Sequence, residues 1–107
     1  MGMFMRNLGY VLDMSLDTVR AEISRVDTEI IRLITQRQKL AGKIAQIKVA
    51  HSLPIHDRDR AAGVLESIFE QAVESRIDPV SVQKIFEILI AMSEERQREC
   101  SGDGNLP

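Results

Sequence analysis

Val19, Ile23, Val26, Ile30, Leu33, Leu40, Ile44 and Ile47 succeed one another in alternating steps of four and three, with a single interruption. Side chains at that rhythm stay on one face of an α-helix and form a stripe suited to packing against another helix. The interruption is at position 37, where the rhythm asks for an apolar residue and the chain has Arg37. Burying a guanidinium without a partner is very costly, so an arginine in such a seam implies that something negative faces it. Two occupants fit: the anionic group of a bound ligand, or a glutamate of another helix in a structural ion pair.

The helical period starts at Ser15 or Leu16, where Ser15 or Asp17 can cap it, and continues to about Ala50 with no proline and Gly42 as its single glycine. His51 to Asp57 then reads as a loop, because Pro54 cannot continue a helix and restricts the residue before it. Asp57 or Asp59 can cap a second helix carrying Val64, Leu65, Ile68, Phe69, Ala72 and Val73, ending near Ser75. Asp78 followed by Pro79 is a strong helix start. The third helix carries Val82, Ile85, Phe86, Leu89, Ile90 and Met92 and runs to about Cys100. No stretch alternates with the period of a strand, so the fold class predicted is all-α, with three helices of which one is very long. Residues 1–14 read as a flexible N-terminal extension, 15–100 as one domain, and 101–107 as a flexible C-terminal tail.

A first helix of about 34 residues would be roughly 50 Å long, whereas a compact domain of this size is about 30 to 35 Å across. Its apolar stripe therefore outruns its own domain and needs a cover. The same helix of a second copy is the simplest one, which predicts a homodimer.

Composition narrows the partners. With 107 residues, 44% of them hydrophobic and 28% charged, the chain suits a single domain with a modest core. A net charge of −2 provides no basic field for neutralising phosphates, which argues against nucleic acid. Cys100 is the single cysteine, so a disulfide framework and a cysteine metal cluster are excluded and a reducing cytoplasm is the natural setting. The opening segment is broken by Arg6, Gly9 and Asp13 and has no continuous apolar region before a cleavage site, so neither a signal peptide nor a membrane association is expected. His51 and His56 flank a proline loop without further ligands at helical spacing, which makes a metal site unexpected.

Helix geometry groups the polar residues. Lys48 follows Arg37 by eleven positions, which is three turns and about 20°, so the two cations share a face about 16 Å apart and can address opposite ends of one small anion. Arg20 is about 25 Å from Arg37 along the same axis and about 100° around it, too far to join that site within one chain. In an antiparallel dimer it can enter the partner's site. Ser93 and Gln97, one turn apart, adjoin the apolar run of the third helix; Asp57 and Arg60 stand at the start of the second, where side chains and free N–H groups can both reach a ligand. Taken singly, each has an ordinary explanation: Lys48 as a solvated helix-end cation, Ser93 and Gln97 as core-edge polar groups, Arg20 as surface. Together they form a set of donors without a nucleophile and base or a metal set. Such a site binds a dianion and is poorly equipped for hydrolysis or covalent catalysis.

At this point Leu16-Asp17-Thr18-Val19-Arg20, Asp27, Arg37, Lys48, Pro54, Asp57-Arg58-Asp59-Arg60, Ile77-Asp78, Phe86, Ser93 and Gln97 fall in a register that resembles the all-helical (type II) chorismate mutases, in their stand-alone form, over roughly Leu16 to Gln97 and without a gap. The resemblance implies an intertwined dimer of three-helix chains with two active sites, each completed by an arginine of the other subunit. The implied reaction is the Claisen rearrangement of chorismate to prephenate on the way to phenylalanine and tyrosine, with no cofactor. Arg37 and the partner's Arg20 would hold the substrate carboxylates, and Lys48 and Gln97 would donate to the ether oxygen. Ser93 and Arg60 would support the ring carboxylate, and Asp57 the ring hydroxyl, partly through its backbone. Where well-known members have a glutamate after the arginine matching Arg60, this chain has Ala61, which cannot accept a hydrogen bond from the hydroxyl; the implied shortfall is about 1 to 2 kcal/mol. That departure keeps an isochorismate-pyruvate lyase or an aminodeoxychorismate mutase, both on the same scaffold, as alternatives. A non-catalytic helical dimerisation module is the alternative of another class.

Overall fold

The structure, a computed structural model, describes residues 15–101. Among them are three helices and no strand: α1, Leu16–Ala50; α2, Arg58–Glu74; and α3, Pro79–Ser101. The boundaries agree with those read from the periodicity to within one or two residues. The expected extension, residues 1–14, and all of the expected tail beyond Ser101 lie outside the described residues.

The chain divides into two compact units, Met1–Leu33 and Ile34–Pro107. In the first, the start of α1 is capped by Ser15, whose Oγ accepts from the Thr18 N–H at 3.0 Å, while Asp17 sits in the first turn, where a negative charge favours the helix dipole. Ile23, Val26 and Ile30, three members of the apolar stripe, are each about half exposed or more, at 55%, 57% and 48%. Among the described residues nothing covers this part of the stripe.

In the second unit the sequence signals for starting helices act as expected. Asp57 caps α2, its Oδ1 accepting from Arg60 N–H at 3.0 Å. Asp78 accepts from the Ser81 hydroxyl in the first turn of α3, and Pro79 takes the first helical position, where its missing N–H is no loss. The helix ends are less conventional. Leu53 N–H reaches back to Lys48 O at 2.8 Å with Ser52 N–H on Val49 O at 3.2 Å, and Ile77 N–H bonds Ala72 O with Arg76 N–H on Val73 O, both at 3.1 Å. These are Schellman closures, in which the residue after the cap takes a left-handed backbone. Ser52, φ 54°, and Arg76, φ 59°, fill those places where glycine is usual, at a steric cost of about 1 kcal/mol each.

The interior is built from small residues. Ala41, Gly42 and Ala45 of α1 and Ala72 of α2 are buried. A Cβ on Gly42 would lie 3.3 Å from Cys100 Sγ, so the bare glycine is what lets the C-terminal part of α1 approach the end of α3. Cys100 thus has a packing role. Val64, Leu65 and Ile68 of α2 and Phe86, Leu89 and Ile90 of α3 are half-buried. Phe69, Val73, Ile85 and Met92, members of the apolar patterns of these helices, are instead exposed. Two short helices and half of a long one have more apolar faces than a core of this size can take up, and these four lie on the faces left over.

Candidate active site

A cavity of about 320 Å³ opens within the second unit, and all three of its helices contribute to it. Its floor is apolar, from Leu40 and Ile44 of α1, Val64 of α2 and Ile90 of α3. Its polar wall contains Arg37, Lys48, Asp57, Arg60, Ser93 and Gln97. Six of the seven residues singled out in the sequence are therefore brought to one place. The seventh, Arg20, is exposed on α1 in the first unit and is not among the residues lining the cavity.

Arg37 answers the question its position raises. Its Nη1 donates to Leu89 O at 3.1 Å and to Ser93 Oγ at 2.5 Å, and among the described residues no carboxylate pairs with it. Burial holds its pKa below the ordinary guanidinium value, and the charge of Arg60 lowers it further. Two neutral acceptors fix the direction of the guanidinium without cancelling its charge. The glutamate of another helix, one of the two occupants considered for this seam, is not there.

Lys48, at the last turn of α1, is held the same way. Its Nζ donates to Ile55 O at 2.6 Å and to Gln97 Oε1 at 2.9 Å, which leaves a third N–H available. An ammonium group only donates, so the Gln97 amide must turn its oxygen to Lys48. Its Nε2 then has to point elsewhere, as a donor. Gln97 is 6% exposed, the single buried polar side chain among the described residues, and every buried side-chain polar atom among them has a partner. The wall thus offers a further Lys48 N–H beside the Gln97 amide nitrogen, and three cations against the carboxylates of Asp57 and Glu94. Among the described residues no cluster of three metal-ligating side chains occurs. Nor is any helix there long and apolar enough to cross a membrane.

Two polar contributors to the lining, the Ile55 carbonyl and Glu94, escaped the sequence reading, whereas Ala61 is already part of it. Ile55 takes part through its carbonyl, which no side-chain pattern announces. Ala61 lines the cavity at the place where an acceptor is missing. Glu94 lines it too, its Oε1 accepting from His56 Nδ1. A signal for Glu94 existed, since it precedes Gln97 by three positions on the same helix face. The run Ser-Glu-Glu-Arg-Gln-Arg-Glu around it looks like a solvated face, and that hid it.

The sequence that builds this site is similar to known ones. The family model of chorismate mutase type II matches residues 19–98, which takes in Arg20 and every residue of the polar wall. The chain belongs to the type II chorismate mutase family. Within that family it is 32% identical over 84 residues to the chorismate mutase of Methanocaldococcus jannaschii, covering 78% of this chain and 85% of that one. It is 45% identical over 53 residues to the bifunctional chorismate mutase/prephenate dehydratase of Aquifex aeolicus, covering 50% of this chain and 15% of that protein. Among solved structures, a conserved hypothetical protein from Pyrococcus furiosus superposes with a TM-score of 0.61 at 34% identity, over 78% of this chain and 95% of that one.

Proposed function

We infer that the protein is a chorismate mutase, an isomerase converting chorismate to prephenate by a [3,3] rearrangement in the synthesis of phenylalanine and tyrosine. The observation that carries this is Arg37: a guanidinium lining a cavity, fixed by neutral acceptors and in no ion pair among the described residues, with Arg60 and Lys48 on the same wall. Such a wall is complementary to a small dianion. Chorismate carries two carboxylates, and its rearrangement needs no proton transfer and no covalent intermediate. What it needs is a compact diaxial conformer and stabilisation of the charge that grows on the ether oxygen as its bond breaks.

Each side chain then has a role. Arg37 binds one carboxylate in a charge-assisted pair, with Arg60 and Ser93 supporting the ring carboxylate side. Lys48 and Gln97 donate to the ether oxygen. Because they are already bonded to each other, they need no reorganisation as charge develops, which is the source of their advantage over water. Asp57 addresses the ring hydroxyl from the start of α2. No cofactor enters this chemistry, and a cytoplasmic setting suits the lone thiol.

The exposed stripe of α1 supports a homodimer in which each long helix covers the other, bringing Arg20 of one copy to the second carboxylate in the other copy's cavity. An arginine from across the interface supplies the charge that the cavity of a single chain lacks for a dianion's far end.

Incubation with chorismate, isochorismate and aminodeoxychorismate separately, followed by product analysis, tests the assignment. Prephenate from chorismate is the expected product; pyruvate and salicylate from isochorismate would assign the chain to the lyases instead. The pH profile provides a second check. Gln97 is neutral at every working pH, so kcat/KM stays flat between about pH 5 and 8. Gln97→Glu makes it pH-dependent, with activity falling as pH rises and the carboxyl gives up the proton it must donate. A steep alkaline fall in the unsubstituted protein would mean that another titrating group controls the step.

A further inference from the structure

Glu94 is out of place in a cavity built for a dianion. It stands in the wall next to Ser93, its side chain only 18% exposed, and like charges a few ångströms apart in a partly desolvated site repel. A carboxylate is compatible with such a wall only where the ligand presents a hydrogen-bond donor to it. The donor cannot be a substrate carboxylate or the ether oxygen, which only accept. On chorismate it is the ring hydroxyl.

The geometry prepares Glu94 for this. His56 Nδ1 donates to its Oε1, and among the described residues no hydrogen bond engages Oε2. His56 is fixed in turn, because the next residue, Asp57, caps α2 through the 3.0 Å bond from Arg60 N–H. That cap occupies Oδ1 of Asp57, and Ala61 on the adjacent turn of α2 has no acceptor at all. Glu94 approaches from α3 instead, where Ser93 and Gln97 already face the cavity.

We propose that Glu94, positioned by His56, accepts the hydrogen bond of the ring hydroxyl and selects substrates that carry it. The proposal rests on the reading of this cavity as a chorismate site. The hydroxyl both donates and accepts, so Glu94 takes its hydrogen while N–H groups at the start of α2 can serve its oxygen. The shortfall implied by Ala61 is then met from a different helix.

The test compares chorismate with its analogue bearing hydrogen in place of the ring hydroxyl. Glu94→Ala lowers kcat/KM for chorismate roughly ten- to a hundredfold, the usual worth of a hydrogen bond to a charged acceptor, and leaves the analogue within about twofold of the parent. His56→Ala reduces the preference for chorismate in the same direction by a smaller factor, a signature that a loss of packing alone would not produce. Equal losses on both substrates, or no loss with Glu94→Ala, overturn the proposal while leaving the mutase reading intact. If the unsubstituted protein leaves chorismate unchanged, the mutase reading falls and the proposal with it.

Discussion

Arg37→Ala lowers kcat/KM for chorismate by about a thousandfold, roughly 4 kcal/mol of transition-state stabilisation, while the protein stays folded. The size follows from what the guanidinium does in the cavity. It is the cation that interrupts the α1 seam, and without it a substrate carboxylate would be desolvated in a partly apolar cavity with one charge fewer to meet it. Folding responds differently. Arg37 contributes hydrogen bonds to Leu89 O and Ser93 Oγ, but burial and the nearby Arg60 both work against its charged form. Removing it gives up two hydrogen bonds and relieves an unpaired charge, so the thermal midpoint stays within a few degrees of the parent. Steady-state kinetics beside a melting curve separates the two roles. A large fall in stability with activity retained would return Arg37 to a structural part and leave the cavity without its clamp.

A mixture of two inactive variants regains activity, which is the second large effect. Arg20→Ala and Arg37→Ala each remove one carboxylate clamp from every site, and each alone loses on the order of a hundredfold or more in kcat/KM. When the two proteins are unfolded together and refolded in equal amounts, half of the dimers are mixed. In a mixed dimer one site receives Arg37 from one chain and Arg20 from the other and is complete; the second site lacks both. Recovery to about a quarter of the parent activity is therefore expected, against a percent or less for either variant alone. No recovery, in a sample that sedimentation shows to be dimeric, would remove Arg20 from the partner's site. A monomer by sedimentation would remove the dimer itself.

The helices were legible because their signals are local. A period of 3.6 residues, Asp57 and Asp78 before helix starts, and Pro79 in a first turn are properties of neighbouring residues, and they placed α1, α2 and α3 nearly residue by residue. The Schellman ends at Ser52 and Arg76 were invisible because serine and arginine take a left-handed backbone only when hydrogen bonds across the helix end compel it. The exposure of Phe69, Val73, Ile85 and Met92 was hidden for a related reason. A periodic pattern says that a face is apolar, and only the arrangement of neighbours says whether anything covers it.

The candidate site divides along the same line. Arg37 announced itself as a charge where the pattern requires a hydrocarbon, and Lys48 could be aligned with it, and Ser93 with Gln97, because helix geometry converts spacing into direction. Sequence alone thus determined three helices, a seam interrupted by one arginine, and a set of donors suited to a dianion. Tertiary structure decided what Arg37 faces: neutral acceptors, and no carboxylate partner among the described residues. It decided also that the Gln97 amide presents its nitrogen, since Lys48 can only donate, and it brought Glu94 out of an apparently solvated run into the cavity wall. The physical reason is one of range. Propensity, capping and periodicity act within a few residues, whereas a charge's partner and a side chain's burial depend on groups some fifty positions away in the chain.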